Sequence, residues 1–181
     1  MVHPNTERLT EYWRARRAEV EIPTRASIDP MDFHDLLPQT FIVGRAAQGR
    51  YPFRLVGGFV ADLHGADLRG KCLLELWRPA DLWSVRGALD QARQRGEPVT
   101  VLADALAEGG GAEPLEVWLA PLVGPSGEVD RFLGLYQPTG SLRRMLERPT
   151  RMLAARAFMG AESIEPMPGL RLAAIDGRRI A

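Results

Sequence analysis

The sequence has little cysteine, no long apolar run and no excess charge of either sign. Cys72 is the only cysteine among 181 residues, which excludes an intrachain disulfide and a thiolate-rich metal site within one chain. The 23 basic residues match the 23 acidic residues, so no overall field draws the chain to nucleic acid or to an anionic membrane. No stretch approaches the roughly 20 apolar residues that span a bilayer, and no apolar core of a signal peptide follows Met1. The sequence therefore predicts a cytoplasmic protein.

The motifs of the common hydrolase and nucleotide-binding classes are missing as well. No serine lies in a Gly-x-Ser-x-Gly elbow, and Cys72 has no thiol-protease context. The glycines at 109–111 lead from one predicted strand into another rather than into a helix, so they do not form a phosphate-binding loop. The sequence therefore predicts a protein that is not an enzyme.

Capping residues and apolar spacing predict two helices before the first strand. Thr6 can cap a first helix that carries Leu9, Tyr12 and Trp13 on one face. An Asp-Pro pair at 29–30 is typical of a second helix start, because a cap acceptor precedes a residue preset for the first helical position.

The chain from residue 41 to residue 136 predicts a hairpin, one long helix and three further strands. Asp81 begins the long helix, apolar residues line one of its faces, and Gly96 with Pro98 ends it. Turns rich in glycine separate the later strands. The predicted strands are 41–43, 53–56, 99–106, 115–123 and 129–136.

The stretch 52–77 carries the clearest family resemblance. It joins an apolar strand to short helical pieces that four glycines, at 57, 58, 65 and 70, interrupt. With 11–13, 28–38 and 41–43, it resembles the single-domain PAS proteins of proteobacteria, the PAS_5 type, over about residues 7 to 140. The resemblance implies an α+β PAS fold with a five-stranded antiparallel sheet and helices on one face. It divides the chain into an N-terminal helical extension (1–38), a PAS core (39–140) and a partly helical C-terminal extension (141–181).

The C-terminal extension contains an apolar repeat. Met145, Met152 and Met159 are spaced by seven, which predicts two helices divided by Pro149 with a methionine stripe on one face. The arginines between 141 and 156 are expected to form the solvated face of these helices rather than a nucleic-acid site, since no aromatic residue stands among them. Beyond residue 160 the sequence has little periodicity, and we expect an extended or partly disordered end.

Five aromatic residues form the predicted ligand-binding set. In the PAS alignment they lie between sheet and helices, where they could hold a planar or acyl ligand or fill a solid core. Tyr136 decides between these alternatives, because a buried hydroxyl needs a polar partner that a ligand could supply. The set comprises Phe59, Trp77, Trp83, Trp118 and Tyr136.

The resemblance predicts neither a cofactor nor a metal for this chain. Light-sensing PAS relatives carry Asn-Cys-Arg-Phe-Leu-Gln at their reactive cysteine, whereas Cys72 stands in Gly-Lys-Cys-Leu-Leu-Glu-Leu, so we expect a buried, inert thiol. Haem-binding relatives take an axial histidine from the long helix or its neighbourhood, and residues 81–95 contain none. His34 and His64 are expected to be surface or capping residues rather than metal ligands.

As a whole, the sequence predicts a cytosolic PAS sensor or regulatory module that acts by protein contact. Binding of a small apolar ligand in its pocket is left open, as is the alternative of a small-molecule carrier or enzyme that uses the same cavity. Similar PAS domains dimerise through a helix before the sheet, and Leu9, Tyr12 and Trp13 are the residues that match such a contact here. The expected partners are a second copy of the chain and a signalling protein.

Overall fold

The computed structural model of the protein describes residues 2–17 and 22–160. The helices are α1 (Pro4–Arg17), α2 (Gly58–His64), α3 (Leu82–Arg95) and α4 (Leu142–Glu147). The strands are β1 (Thr40–Gly44), β2 (Phe53–Val56), β3 (Val99–Ala107), β4 (Ala112–Val123), β5 (Val129–Pro138) and β6 (Thr150–Met159). Short 3-10 helices lie at Arg25–Ser27, Pro30–Gln39, Ala47–Gly49, Leu73–Leu76 and Pro79–Asp81. The predicted hairpin, long helix and three later strands are confirmed.

The strands form one antiparallel sheet in the order β2-β1-β5-β4-β3-β6. The α+β PAS fold is confirmed, but this sheet has six strands where five were expected. The additional strand is β6, which pairs with β3 at the sheet edge, with Thr100 opposite Met159 and Ala107 opposite Thr150.

The central strands β1, β4 and β5 are buried on both faces because helical segments cover each face of this part of the sheet. Along β5, Phe132 and Tyr136 belong to the core on one face, whereas Leu133 and Leu135 belong to the core on the other. This two-residue alternation is the ordinary geometry of a strand. We call the face toward α2 and α3 the inner face and the face toward α1 the outer face.

The inner face carries the larger core. The apolar stripe predicted for the long helix is buried in this core, where α3 contributes Val85, Leu89 and Ala92. Gly134 on β5 lies opposite Phe41 on β1, and a Cβ at that glycine would fall 2.1 Å from the Phe41 ring. The glycine therefore lets the Phe41 ring lie across β5 and pack against its neighbours there.

The outer face is covered by α1, which corrects the predicted dimer contact. Leu9 and Trp13 are fully buried against the chain's own sheet, and the Trp13 indole N–H donates to the Pro121 carbonyl at 3.0 Å. The buried Glu116 carboxylate fixes the start of the helix, since it accepts from the Thr6 hydroxyl at 2.7 Å. The apolar stripe of α1 thus has a partner within one chain, and only Tyr12 of the three residues is partly accessible. Helices consequently cover two faces of the sheet rather than one.

The segment after residue 141 also differs from the expectation of two helices with a methionine stripe. Pro149 ends α4, and the next ten residues form β6, because the edge of β3 offers backbone partners that no local pattern reveals. Met145 and Leu153 are buried in the inner core, whereas Met152 is 41% exposed, so the methionines do not share a face. Residues 141–159 therefore pack on the inner core through Met145 and Leu153 and extend the sheet through β6. The predicted extended end beyond residue 160 lies outside the described residues.

Candidate ligand site in the core

Three polar groups lie unpaired in the inner core. They are the His64 Nε2 atom, the Trp77 indole N–H and the Tyr136 hydroxyl, and none has a hydrogen-bond partner among residues 2–17 and 22–160. All three side chains are more than nine-tenths buried. Leaving a buried donor or acceptor unsatisfied costs about 1–3 kcal/mol. We call these groups the core polar groups.

The geometry around His64 fixes which of its nitrogens carries the proton. The Nδ1 atom lies 3.1 Å from the Thr150 carbonyl oxygen at the start of β6. A carbonyl oxygen only accepts, so Nδ1 carries the hydrogen and donates it. Burial lowers the pKa of His64 to about 4, which leaves the ring neutral at pH 7. The Nε2 atom is then a pure acceptor that faces the core with an unused lone pair.

The Tyr136 ring packs against the His64 ring, and its hydroxyl is a donor without a partner among the described residues. Its ring centroid is 5.9 Å from that of His64, and Phe41 packs edge-on against it at 5.1 Å. Burial raises the pKa of the Tyr136 hydroxyl, so the group stays protonated and can donate. The two side chains approach one another without a direct hydrogen bond between them.

Trp77 connects the core polar groups to β6. The residue follows the 3-10 helix Leu73–Leu76 and forms an isolated parallel bridge with Leu153. The next backbone N–H, that of Arg78, donates to the Leu153 carbonyl at 2.9 Å. His64 and Trp77 therefore both lie against the same strand, one through Thr150 and one through Leu153.

A surface pocket of about 260 Å³ ends beside this part of the core. Its inner wall includes Ala105, Met145 and Thr150, all buried, and the Thr150 carbonyl is the one that holds His64. Met145 belongs to the same apolar cluster as Tyr136. The rim carries Glu113 and Arg144, which form an ion pair at 2.7 Å. A flexible methionine side chain thus both lines an open pocket and packs in the apolar cluster that contains Tyr136.

The structure does not bring the five predicted aromatic residues together. Tyr136 and Trp77 lie in the inner core, and Phe59 packs on it half-buried. Trp118 points to the outer face, because it alternates with Val117 and Leu119, and it packs in the core beneath α1. Trp83 is 80% exposed on α3, so it lines no internal pocket. Trp83 and Trp118 therefore do not line the inner core, whereas Phe59, Trp77 and Tyr136 pack in or against it.

His64 is the residue that the sequence analysis missed. It was expected at the surface or at a cap, yet its side chain is 6% exposed. The signal is present in the sequence, because Val60, Leu63 and His64 follow the spacing of one buried helix face. His34 is exposed as expected.

Cys72 lies in the inner core, next to Tyr51. The thiol is buried, and its sulfur accepts the Tyr51 backbone N–H at 3.3 Å, which fits the expected packing role. Across the described ranges, no three His, Cys, Asp or Glu side chains cluster as metal ligands would. Every helix in these ranges falls short of the length and apolarity that a membrane crossing requires.

The chain is similar in part to several solved structures. Three similar solved structures are the dark form of the blue-light photoreceptor Aureochrome1 LOV, an RNA-binding Light-Oxygen-Voltage receptor, and the Rhodobacter sphaeroides LOV protein. In that order, identities are 15%, 18% and 16%, and TM-scores are 0.46, 0.47 and 0.47. The alignments cover 66%, 70% and 65% of this chain, and 88%, 38% and 72% of those chains.

A comparison with protein-family models identifies the family of the chain. No curated protein sequence matches the chain. The family model PAS_5, described as a PAS domain, matches residues 1–137, well over half of the chain. The match includes α1 and ends before α4 and β6. The chain therefore belongs to the PAS domain family, whose members are sensory modules.

Proposed function

We propose that this PAS domain is a sensor that binds a small ligand at His64 and Tyr136 and acts by contact with other proteins. The observation that carries the proposal is the pairing of an unused acceptor with an unused donor in the apolar core. Most buried polar groups in folded proteins are hydrogen-bonded, so two neighbouring exceptions point to a function. A ligand that bonds to both groups removes their desolvation cost and gains affinity from it.

The contacts of β6 supply a route from this site to the rest of the molecule. Thr150 holds His64, Leu153 holds Arg78, and the Ala155 N–H donates to the Asp81 carboxylate at 2.9 Å. Asp81 immediately precedes α3 and also pairs with Arg78 at 2.9 Å. A ligand that shifts His64 or Trp77 therefore acts on a strand at the edge of the sheet.

The same strand borders the surface that we propose for protein contact. α1 packs on β4 and β5, and the outer core includes no residue of β3 or β6. On that side, Leu102 and Leu106 of β3 are half-buried and Met152 of β6 is 41% exposed. We propose that a second copy of the chain or a signalling protein binds there, since the side chains of Leu9 and Trp13 are already used within the chain.

Native mass spectrometry of the protein purified from the organism that encodes it tests the proposal. We expect one bound small molecule per chain, and a mass that reports two chains in the assembly. The Tyr136→Phe variant, which keeps the ring and loses the hydroxyl, should retain the assembly and lose most of the ligand. A bare polypeptide mass under conditions that preserve weak complexes would contradict ligand binding, and a strictly monomeric mass would contradict the homodimer.

A further inference from the structure

The core polar groups define the hydrogen-bonding chemistry that a ligand must bring. His64 Nε2 can only accept, because Nδ1 carries the ring proton toward the Thr150 carbonyl. The Tyr136 hydroxyl lacks an acceptor, and its ring packs against that of His64 with centroids 5.9 Å apart. A group that both donates and accepts, such as a hydroxyl, can satisfy the two atoms at once. A group that only accepts, such as an ether or ketone, would leave His64 Nε2 unpaired.

The surroundings of these atoms decide the charge of the ligand. Among the described residues, Glu116 is the one buried carboxylate, and it is bonded to Thr6 at the start of α1 rather than placed beside Tyr136. The ionised groups of the adjoining pocket are two acids and two arginines, Glu113, Glu147, Arg144 and Arg148, all reached by solvent, and Glu113 pairs with Arg144 at 2.7 Å. An ammonium or carboxylate moved into this core would lose its hydration without gaining an opposite charge. His64 adds no charge at neutral pH because burial lowers its pKa to about 4.

The size of the adjoining pocket limits the body of the ligand. Its volume of about 260 Å³ lies just below the usual range for ligand sites, about 300–1,000 Å³. Ala105 and Met145 give its inner end an apolar lining. Met145 has an unbranched side chain that can move without breaking a hydrogen bond.

From these observations we infer that the ligand is a small, uncharged molecule with an apolar body and a hydroxyl, or an equivalent group that donates to His64 Nε2 and accepts from Tyr136. This inference rests on the proposed ligand site and specifies its chemistry. The hydroxyl end lies between the two side chains, and the apolar body extends toward Met145. The ligand is accordingly neither a nucleotide nor an organic acid or amine.

Four probes that share one benzene ring test the inference on the full chain. They are benzyl alcohol, toluene, benzylammonium and benzoate, and binding is measured by ligand-observed NMR and by the shift of the melting temperature. We expect benzyl alcohol to bind about tenfold more tightly than toluene, since it makes two hydrogen bonds in the core. The two ions should bind at least about a hundredfold more weakly than benzyl alcohol, because each must be desolvated.

Two variants assign the preference to the named atoms. Tyr136→Phe and His64→Leu should each bring the affinity for benzyl alcohol down to that for toluene, whereas His34→Ala, at an exposed histidine, should change neither. Equal binding of toluene and benzyl alcohol by the unmodified chain, or tighter binding of either ion, would overturn the ligand class while leaving a core site in place. Failure of all four probes to bind would overturn the core site itself.

Discussion

Removal of the Tyr136 hydroxyl should stabilise the ligand-free protein, which is the reverse of the usual effect. The hydroxyl is fully buried and has no partner among the described residues, so Tyr136→Phe deletes an unsatisfied group and keeps the ring contacts with Phe41 and His64. The desolvation cost of such a group is about 1–3 kcal/mol. We expect the free energy of unfolding to rise by about 1 kcal/mol and the melting temperature by about 2–4 °C for a domain of this size.

Tyr51→Phe is the matched control for this substitution. The Tyr51 side chain is also buried, but its hydroxyl donates at 3.3 Å to the carboxylate of Asp90, whose side chain is 41% exposed. Removal of that hydrogen bond should lower the free energy of unfolding by about 1 kcal/mol. Urea unfolding followed by circular dichroism measures both variants after refolding from denaturant, which removes any bound ligand. A loss of about 1 kcal/mol or more in Tyr136→Phe would show that its hydroxyl is satisfied within the protein, and the reasoning for the core site would fail.

Three further predictions concern His64, α1 and β6. The pKa of His64 is lowered to about 4 in the folded state, so the unfolded chain binds the extra proton first. The free energy of unfolding that the neutral ring contributes is fully present above pH 6.5 and is lost as the pH falls through about 4. In urea unfolding across pH, this acid-dependent loss should be smaller in His64→Leu than in His34→Ala by up to about 3 kcal/mol. Trp13→Ala should cost about 3–5 kcal/mol of stability, whereas the exposed Trp83→Ala should change it by less than about 0.5 kcal/mol; equal effects in thermal melts would contradict the packing of α1. Leu153→Ala should lower the free energy of unfolding by about 2–5 kcal/mol, and Met152→Ala by far less. A small effect of Leu153→Ala would show that β6 is a dispensable extension.

Local signals in the sequence were sufficient for the order of elements between residues 41 and 136, and the resemblance to PAS proteins gave the fold. Asp29 caps the helix as predicted, accepting the Met31 N–H at 2.9 Å, and Gly96 ends α3 in a left-handed conformation with φ 63°. These features depend on neighbouring residues, so a local pattern is enough to predict them. The alternation along β4 and β5 likewise marks strands whichever face each residue meets.

Long-range contacts decided the features that were predicted incorrectly. β6 forms because the edge of β3 was available, and its partner lies about fifty residues earlier in the chain. The apolar face of α1 was interpreted as a subunit contact, because the sequence does not show that this face packs on Ile42, Leu133 and Leu135 of the outer face. Trp118 was placed on the inner face although its neighbours Val117 and Leu119 occupy that face. His64 was judged by its residue type rather than by its position on the buried face of α2.

Long-range nitrogen–proton NMR of the His64 ring at pH 7 tests whether a ligand donates a hydrogen bond to the Nε2 atom. The spectra compare protein purified from its own organism with the same protein refolded without ligand. We expect a neutral ring with the proton on Nδ1 in both samples, and a change in the Nε2 resonance when the ligand that donates to it is removed. A proton on Nε2, a charged ring, or an identical Nε2 resonance in the two samples would contradict the binding of a ligand that donates to His64 Nε2.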